Sequence, residues 1–144
     1  MNLMRAMALD EKEAGFISVI NNNASALAKG DVVEWDVAGA TGETLGKSVK
    51  DAGAASLLVA GVVRGLGQDN SDSVPVGEIA IVQVTGFCDF ITTDGTITEG
   101  AALIAGAAVA DVGALGTDDG AFFGVALQAD VSTTLTAAML KGNF

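Results

Sequence analysis

Val76-Gly-Glu-Ile-Ala-Ile-Val-Gln-Val-Thr-Gly-Phe-Cys-Asp-Phe-Ile91 is the stretch whose reading decides the fold. Ile79 and Ile81 alternate with Ala80, Val82 and Val84, so an extended segment carries apolar side chains on both faces, as a strand covered on two sides does. Gly86 interrupts the run before Phe87, Cys88, Phe90 and Ile91, and a glycine there marks a bulge or sharp bend in a curled sheet. The segment reads as the central strand of a small closed or nearly closed β-domain.

Working outward, residues 15–21 read as a first strand, followed by turn chemistry at Asn21, Asn22, Asn23 and Ser25. Residues 31–37 alternate imperfectly and read as a half-exposed strand, 39–50 as a polar loop, 56–63 as a buried strand containing Gly61, and 65–73 as a second loop. Beyond the central strand, Asp94-Gly95 suits a type I′ hairpin. Residues 101–112 and 122–127 read as strands with a loop at 113–120. Val131, Leu135 and Met139 have a spacing that also fits a helix, but Thr133, Thr134 and Thr136 favour extended structure, so 131–141 is assigned to a strand. Leu3, Met4, Met7 and Leu9 precede an acidic cluster and mark 1–14 as a short helix or an arm, marginal on its own.

The sequence also echoes itself. Lys29-Gly30-Asp31 leads to Val59-Ala60-Gly61-Val62, and Glu99-Gly100-Ala101 leads to Phe122-Phe123-Gly124-Val125. Either these are two copies of a strand-loop-strand unit flanking the central hairpin, or chance matches in a glycine-rich chain.

A chain of 144 residues fits one domain and buries roughly 70% of the surface its unfolded form exposes. Apolar residues make up 50% but aromatics only 5%, and with 19 glycines the fold should be shaped by tight turns and close backbone approach. Eighteen acids against 7 bases give a net charge of −11, which opposes nucleic acid and anionic membrane as partners. Apolar runs fall short of the ~20 residues of a spanning helix. The N-terminal residues turn acidic too early for a secretory signal, and a single cysteine forms no intrachain disulfide. Synthesis in a reducing cytoplasm accounts for this usage.

Motifs of chemistry fail on spacing. Gly39-Ala-Thr-Gly-Glu-Thr-Leu-Gly-Lys-Ser48 ends like a phosphate-binding loop, but the required first glycine falls on Thr41. Asp69-Asn-Ser-Asp-Ser73 offers calcium-type oxygens, yet Val74 and Ala80 stand where a helix-loop-helix site needs glycine and an acid. Asp118-Asp119 is a further carboxylate pair, and a looser cation site between subunits stays open for both clusters. With no histidine, no imidazole can activate a nucleophile or bind zinc, and Cys88 in an apolar strand reads as an inert small hydrophobe. The chain is read as non-enzymatic, without cofactor or metal. Trp35, flanked by Glu34 and Asp36, reads as a core-rim or subunit-contact residue ahead of a ligand-stacking platform.

The succession Leu27-Ala-Lys-Gly-Asp-Val-Val33, Leu58-Val-Ala-Gly-Val-Val63, Val76-Gly-Glu-Ile-Ala-Ile-Val-Gln-Val-Thr-Gly86, Ile97-Thr-Glu-Gly-Ala-Ala-Leu103 and Gly124-Val-Ala-Leu127 resembles the small head decoration, or cement, proteins of tailed bacteriophages. The resemblance implies an all-β fold: a small compact β-barrel or β-tulip-like domain over 15–144 with an N-terminal arm at 1–14. It further implies a homotrimer on the outer surface of an icosahedral head, bridging major capsid proteins. Leu3, Met4, Met7, Phe16 and Trp35 are then the candidate subunit or capsid contacts. The alternatives are a carbohydrate-binding or adhesin-like β-module on a virion surface, with Trp35 as its platform, and a tail or baseplate subunit.

Overall fold

The computed structural model of the chain describes residues 14–39, 42–44, 46–66, 73–95, 97–106, 112–114 and 121–141. Among them lie the strands β1 (Gly15–Asn21), β2 (Leu27–Ala28), β3 (Val32–Trp35), β4 (Ser48–Asp51), β5 (Val59–Leu66), β6 (Ser73–Val74), β7 (Ile79–Cys88), β8 (Ile91–Thr92), β9 (Ala102–Ala105), β10 (Val112–Ala114), β11 (Gly124–Ala126), β12 (Thr134–Leu135) and β13 (Ala138–Lys141). The helical content of the described residues is a single 3₁₀ turn, Gly42–Thr44. The domain is all-β. The arm expected over 1–14 lies, apart from Ala14, outside the described residues.

Five strands pair in a closed circuit: β1 with β7, β7 with β5, β5 with β3, β3 with β4, and β4 back to β1. Strand directions cannot alternate around an odd-numbered circuit, so one pair must be parallel. That pair is β1–β4, where Ile20 faces Ser48. Val19, Val33, Val49, Ala60, Val63, Ala80, Val82 and Val84 fill the interior. Their neighbours Val32, Val59 and Val62 belong to a second core with Leu103, Phe123, Ala126, Ala138 and Leu140. Thus β3 and β5 form a wall between two cores, which is why their apolar residues run consecutively. Within residues 31–37, read as half-exposed, Asp31, Glu34 and Trp35 are partly buried and Val37 is exposed, but Val32 and Val33 are both fully buried because each faces one of the two cores.

Strand β7 belongs to both halves. Its first part pairs with β1 and β5, and Thr85 to Cys88 pair with β13. Even-numbered side chains enter the circuit up to Val84, whereas Cys88 enters the second core. The face changes where Gly86 takes a φ of 88° and where the β1 register slips opposite Gln83 and Thr85. One extra residue inverts the side-chain alternation. The strand is not covered on both faces along its whole length, however: it starts at Ile79, and that side chain is exposed.

The internal echo extends to hydrogen bonds. Asp31 N–H donates to Ala28 O and Ala101 N–H to Thr98 O, each at 3.1 Å, around Gly30 and Gly100 at φ of 92° and 81°. Gly30 N–H then donates to Val63 O, as Gly100 N–H does to Ala126 O. Val63 and Ala126 return bonds to Asp31 and Ala101, both at 2.9 Å. Registers correspond as well. Val33 opposite Asp51 answers to Leu103 opposite Ala114, Val62 opposite Gln83 to Val125 opposite Met139, and Gly15 opposite Thr85 to Thr85 opposite Lys141. The molecule is two tandem copies of one unit, and β7 ends the first and opens the second. In the second unit the circuit stays open, with β10 paired only to β9 among the described residues. Val32, Val59 and Val62 from the outer wall of the first unit pack into the core of the second.

Other expectations are corrected. Asp94-Gly95 makes no I′ hairpin: Gly95 alone of the two has positive φ, and β8 pairs with β12. The I′ geometry sits instead at Ser132-Thr133, with φ of 49° and 63° and reciprocal bonds between Val131 and Thr134. Residues 101–112 are not one strand, because β9 and β10 run antiparallel. The loop at 39–50 gives way to β4, whose Ser48 and Val49 are buried.

Candidate functional site

At the end of β1 three asparagines tie the loops together. Asn21 donates from Nδ2 to Val74 O (2.8 Å) and Ser25 O (3.2 Å), and its Oδ1 accepts from Asn23 N–H. Asn22 donates to Asp36 Oδ2 and Asn23 to Asp51 Oδ2, each at 2.6 Å. Lys50 Nζ lies 3.6 Å from both Glu34 and Asp36. The Gly39 N–H and the Asn22 amide hold the Asp36 carboxyl below its ordinary range. Burial pushes Asp51 up against the pull of Asn23, and pushes Asp31 to about 6 against the Ala28 N–H, with the Asp51 charge adding to the rise. These carboxylates already take donors from loops, so the network acts as a fastening. Among the described residues no group of three or more Asp, Glu, His or Cys is placed to hold a metal ion. Of the two clusters read for calcium-type oxygens, 69–72 and 118–119 lie outside the described residues.

Cys88 is fully buried. Burial raises its thiol pKa despite the Arg64 guanidinium, which reaches Sγ at 3.6 Å and also holds Asp89 at 2.6 Å.

The surface features that remain are apolar. Trp35 packs at the rim of the first core, and its backbone N–H donates to Leu58 O. Leu57 (66% exposed), Leu58 and Val37 stand in solvent around that rim. On the outer side of β1–β7, Phe16 and Ile79 are each 52% exposed, with Ile20 and Ile81 half-buried between them. A third group is Phe122 before β11, with Val125 and Met139. Phe16 and Trp35 therefore lie on different parts of the surface, while Leu3, Met4 and Met7 lie outside the described residues. Leu57 and Leu58, which the sequence assigns to the buried strand 56–63, are exposed instead. The signal against that assignment was the Gly53-Ala-Ala-Ser56 lead-in, since the β-branched run starts only at Val59.

No family model matches the chain, and no curated protein matches it.

Proposed function

We propose that this chain is a non-enzymatic decoration protein that binds the outer surface of an icosahedral phage head and braces it by bridging major capsid proteins. The observation that carries this reading is the rim of Val37, Leu57 and Leu58 around Trp35. Grouped apolar side chains in solvent mark protein contacts. A net charge of −11 suits a surface turned away from packaged nucleic acid. The indole packs toward the first core, which leaves it poorly placed as a sugar-stacking platform.

Binding to the assembled shell alone stabilises it by mass action, about 2.7 kcal/mol per site at a hundredfold excess over Kd. Particles carrying the protein should release their genome at a higher temperature than stripped ones, and Leu57→Asp with Leu58→Asp should abolish rebinding. Equal release temperatures would defeat the reading.

A further inference from the structure

Ala14 and Gly15 fix where the chain before them leaves the domain. Gly15 N–H donates to Thr85 Oγ1 at 3.0 Å, and a Cβ added at Gly86 would meet Ala14 Cα at 2.7 Å. Because β1 runs antiparallel to β7, the backbone upstream of Gly15 heads along β7, past Gly86 and toward Phe87. Phe87 stands opposite Met139, and Met139 opposite Val125, so the three share one side of β7–β13–β11. The other side, with Cys88, Ala138 and Ala126, belongs to the second core. Phe87 is 43% exposed, and Met139 and Val125 are half-buried. Lys141, on the same side of β13 and opposite Thr85, lies over the Phe122 ring, 5.0 Å from its centroid. That leaves Phe87, Met139 and Val125 as an apolar row with a cation at the end where the chain arrives.

We infer that residues 1–13 dock on this row of their own chain, with Leu3, Met4 and Met7 against Phe87, Met139 and Val125 and Glu11 beside Lys141. The segment consists largely of strong helix formers, and its residues 3, 4, 7 and 11 share one face at helical spacing. Glu11 is the member of that face nearest Ala14, which is the end where Lys141 stands. Thirteen residues cover about 20 Å as a helix, ample for three strands that span about 10 Å. Methionine side chains adapt to an uneven apolar row. Too short to hold a helix alone, the segment gains from its attachment at Ala14, which sets an effective concentration of about millimolar, so a modest contact suffices. The inference stands apart from the capsid reading, whose contact is the rim around Trp35, and is tested without any particle.

Methionine occurs at positions 1, 4, 7 and 139 alone, so methyl-labelled methionine in the full chain isolates the contact. A magnetisation-transfer signal should join the Met4 or Met7 methyl to that of Met139, and should persist when labelled protein is diluted into excess unlabelled copies. Its absence overturns the proposal, and so does its loss on dilution, which would place the segment on another chain. Trypsin gives a second reading at Arg5 and Lys12. Phe87→Asp and Lys141→Glu should each speed cleavage there roughly tenfold, since cleavage tracks the population of the undocked segment. A folded variant cleaved at the wild-type rate refutes the contact. If a variant fails to fold, the methyl signal of the wild type decides.

Discussion

Gly61 shows how a single residue sets the distance between strands. A Cβ added there would meet Gln83 O at 2.2 Å and Val82 Cγ1 at 2.8 Å, and its φ is 154°. Its counterpart Gly124 would meet Met139 O at 2.9 Å. Gly61→Ala should cost about 3 kcal/mol in chemical denaturation, from overpacking plus strain. Gly77→Ala, at φ 83° with open space around it, should cost only about 1 kcal/mol. Asp31 makes a second prediction. Its pKa is raised from 3.8 to about 6, so its contribution to stability is complete below the ordinary aspartate value and lost as pH rises through about 6. Asp36 and Asp89 have lowered values, so theirs is present above 3.8 and lost on further acidification. Thermal melts should therefore show stability falling from pH 5 to 7, and Asp31→Asn should flatten that slope. The glycine spacing was visible in the sequence. The partial burial of Asp31 was not, because it depends on the tertiary surroundings that bring the Asp51 charge of β4 near it.

At the scale of elements, the hairpin at 131–134 carries avoidable strain. Ser132 and Thr133 both hold positive φ, which a β-branched residue adopts only at a cost. Replacing them with Asn-Gly, the pair suited to a I′ turn, should stabilise the fold by about 1 kcal/mol, read as a higher Tm. Strand β7 makes the opposite point. Its bend at Gly86 could be anticipated, because glycine within an apolar run permits few other readings. Its partners could not: that one strand ends the first unit and opens the second depends on pairings with β1, β5 and β13. The Asp94-Gly95 error has the same origin, since local turn chemistry was overridden by the pairing of β8 with β12.

Across the whole molecule, the second core draws side chains from both units, so neither half buries its apolar surface alone and unfolding should be a single cooperative step. Trp35 fluorescence reports the first unit, and its transition should coincide with loss of far-UV circular dichroism. Leu140→Ala, in the second unit, should move both by the same amount, about 2–5 kcal/mol. Two separated transitions would show independent halves. What the sequence determined by itself was the all-β class and the interruption at Gly86, because strand patterning and positive-φ glycines are local properties of the chain, whereas it left the Lys-Gly-Asp and Glu-Gly-Ala echo open between a repeat and chance. Only the tertiary structure decided that the first copy closes, that β10 of the second pairs with β9 alone among the described residues, that both units share one core, and that Leu57, Phe16 and Phe122 face solvent. Burial on either side of a strand is set by what packs there, and no single segment encodes its neighbour.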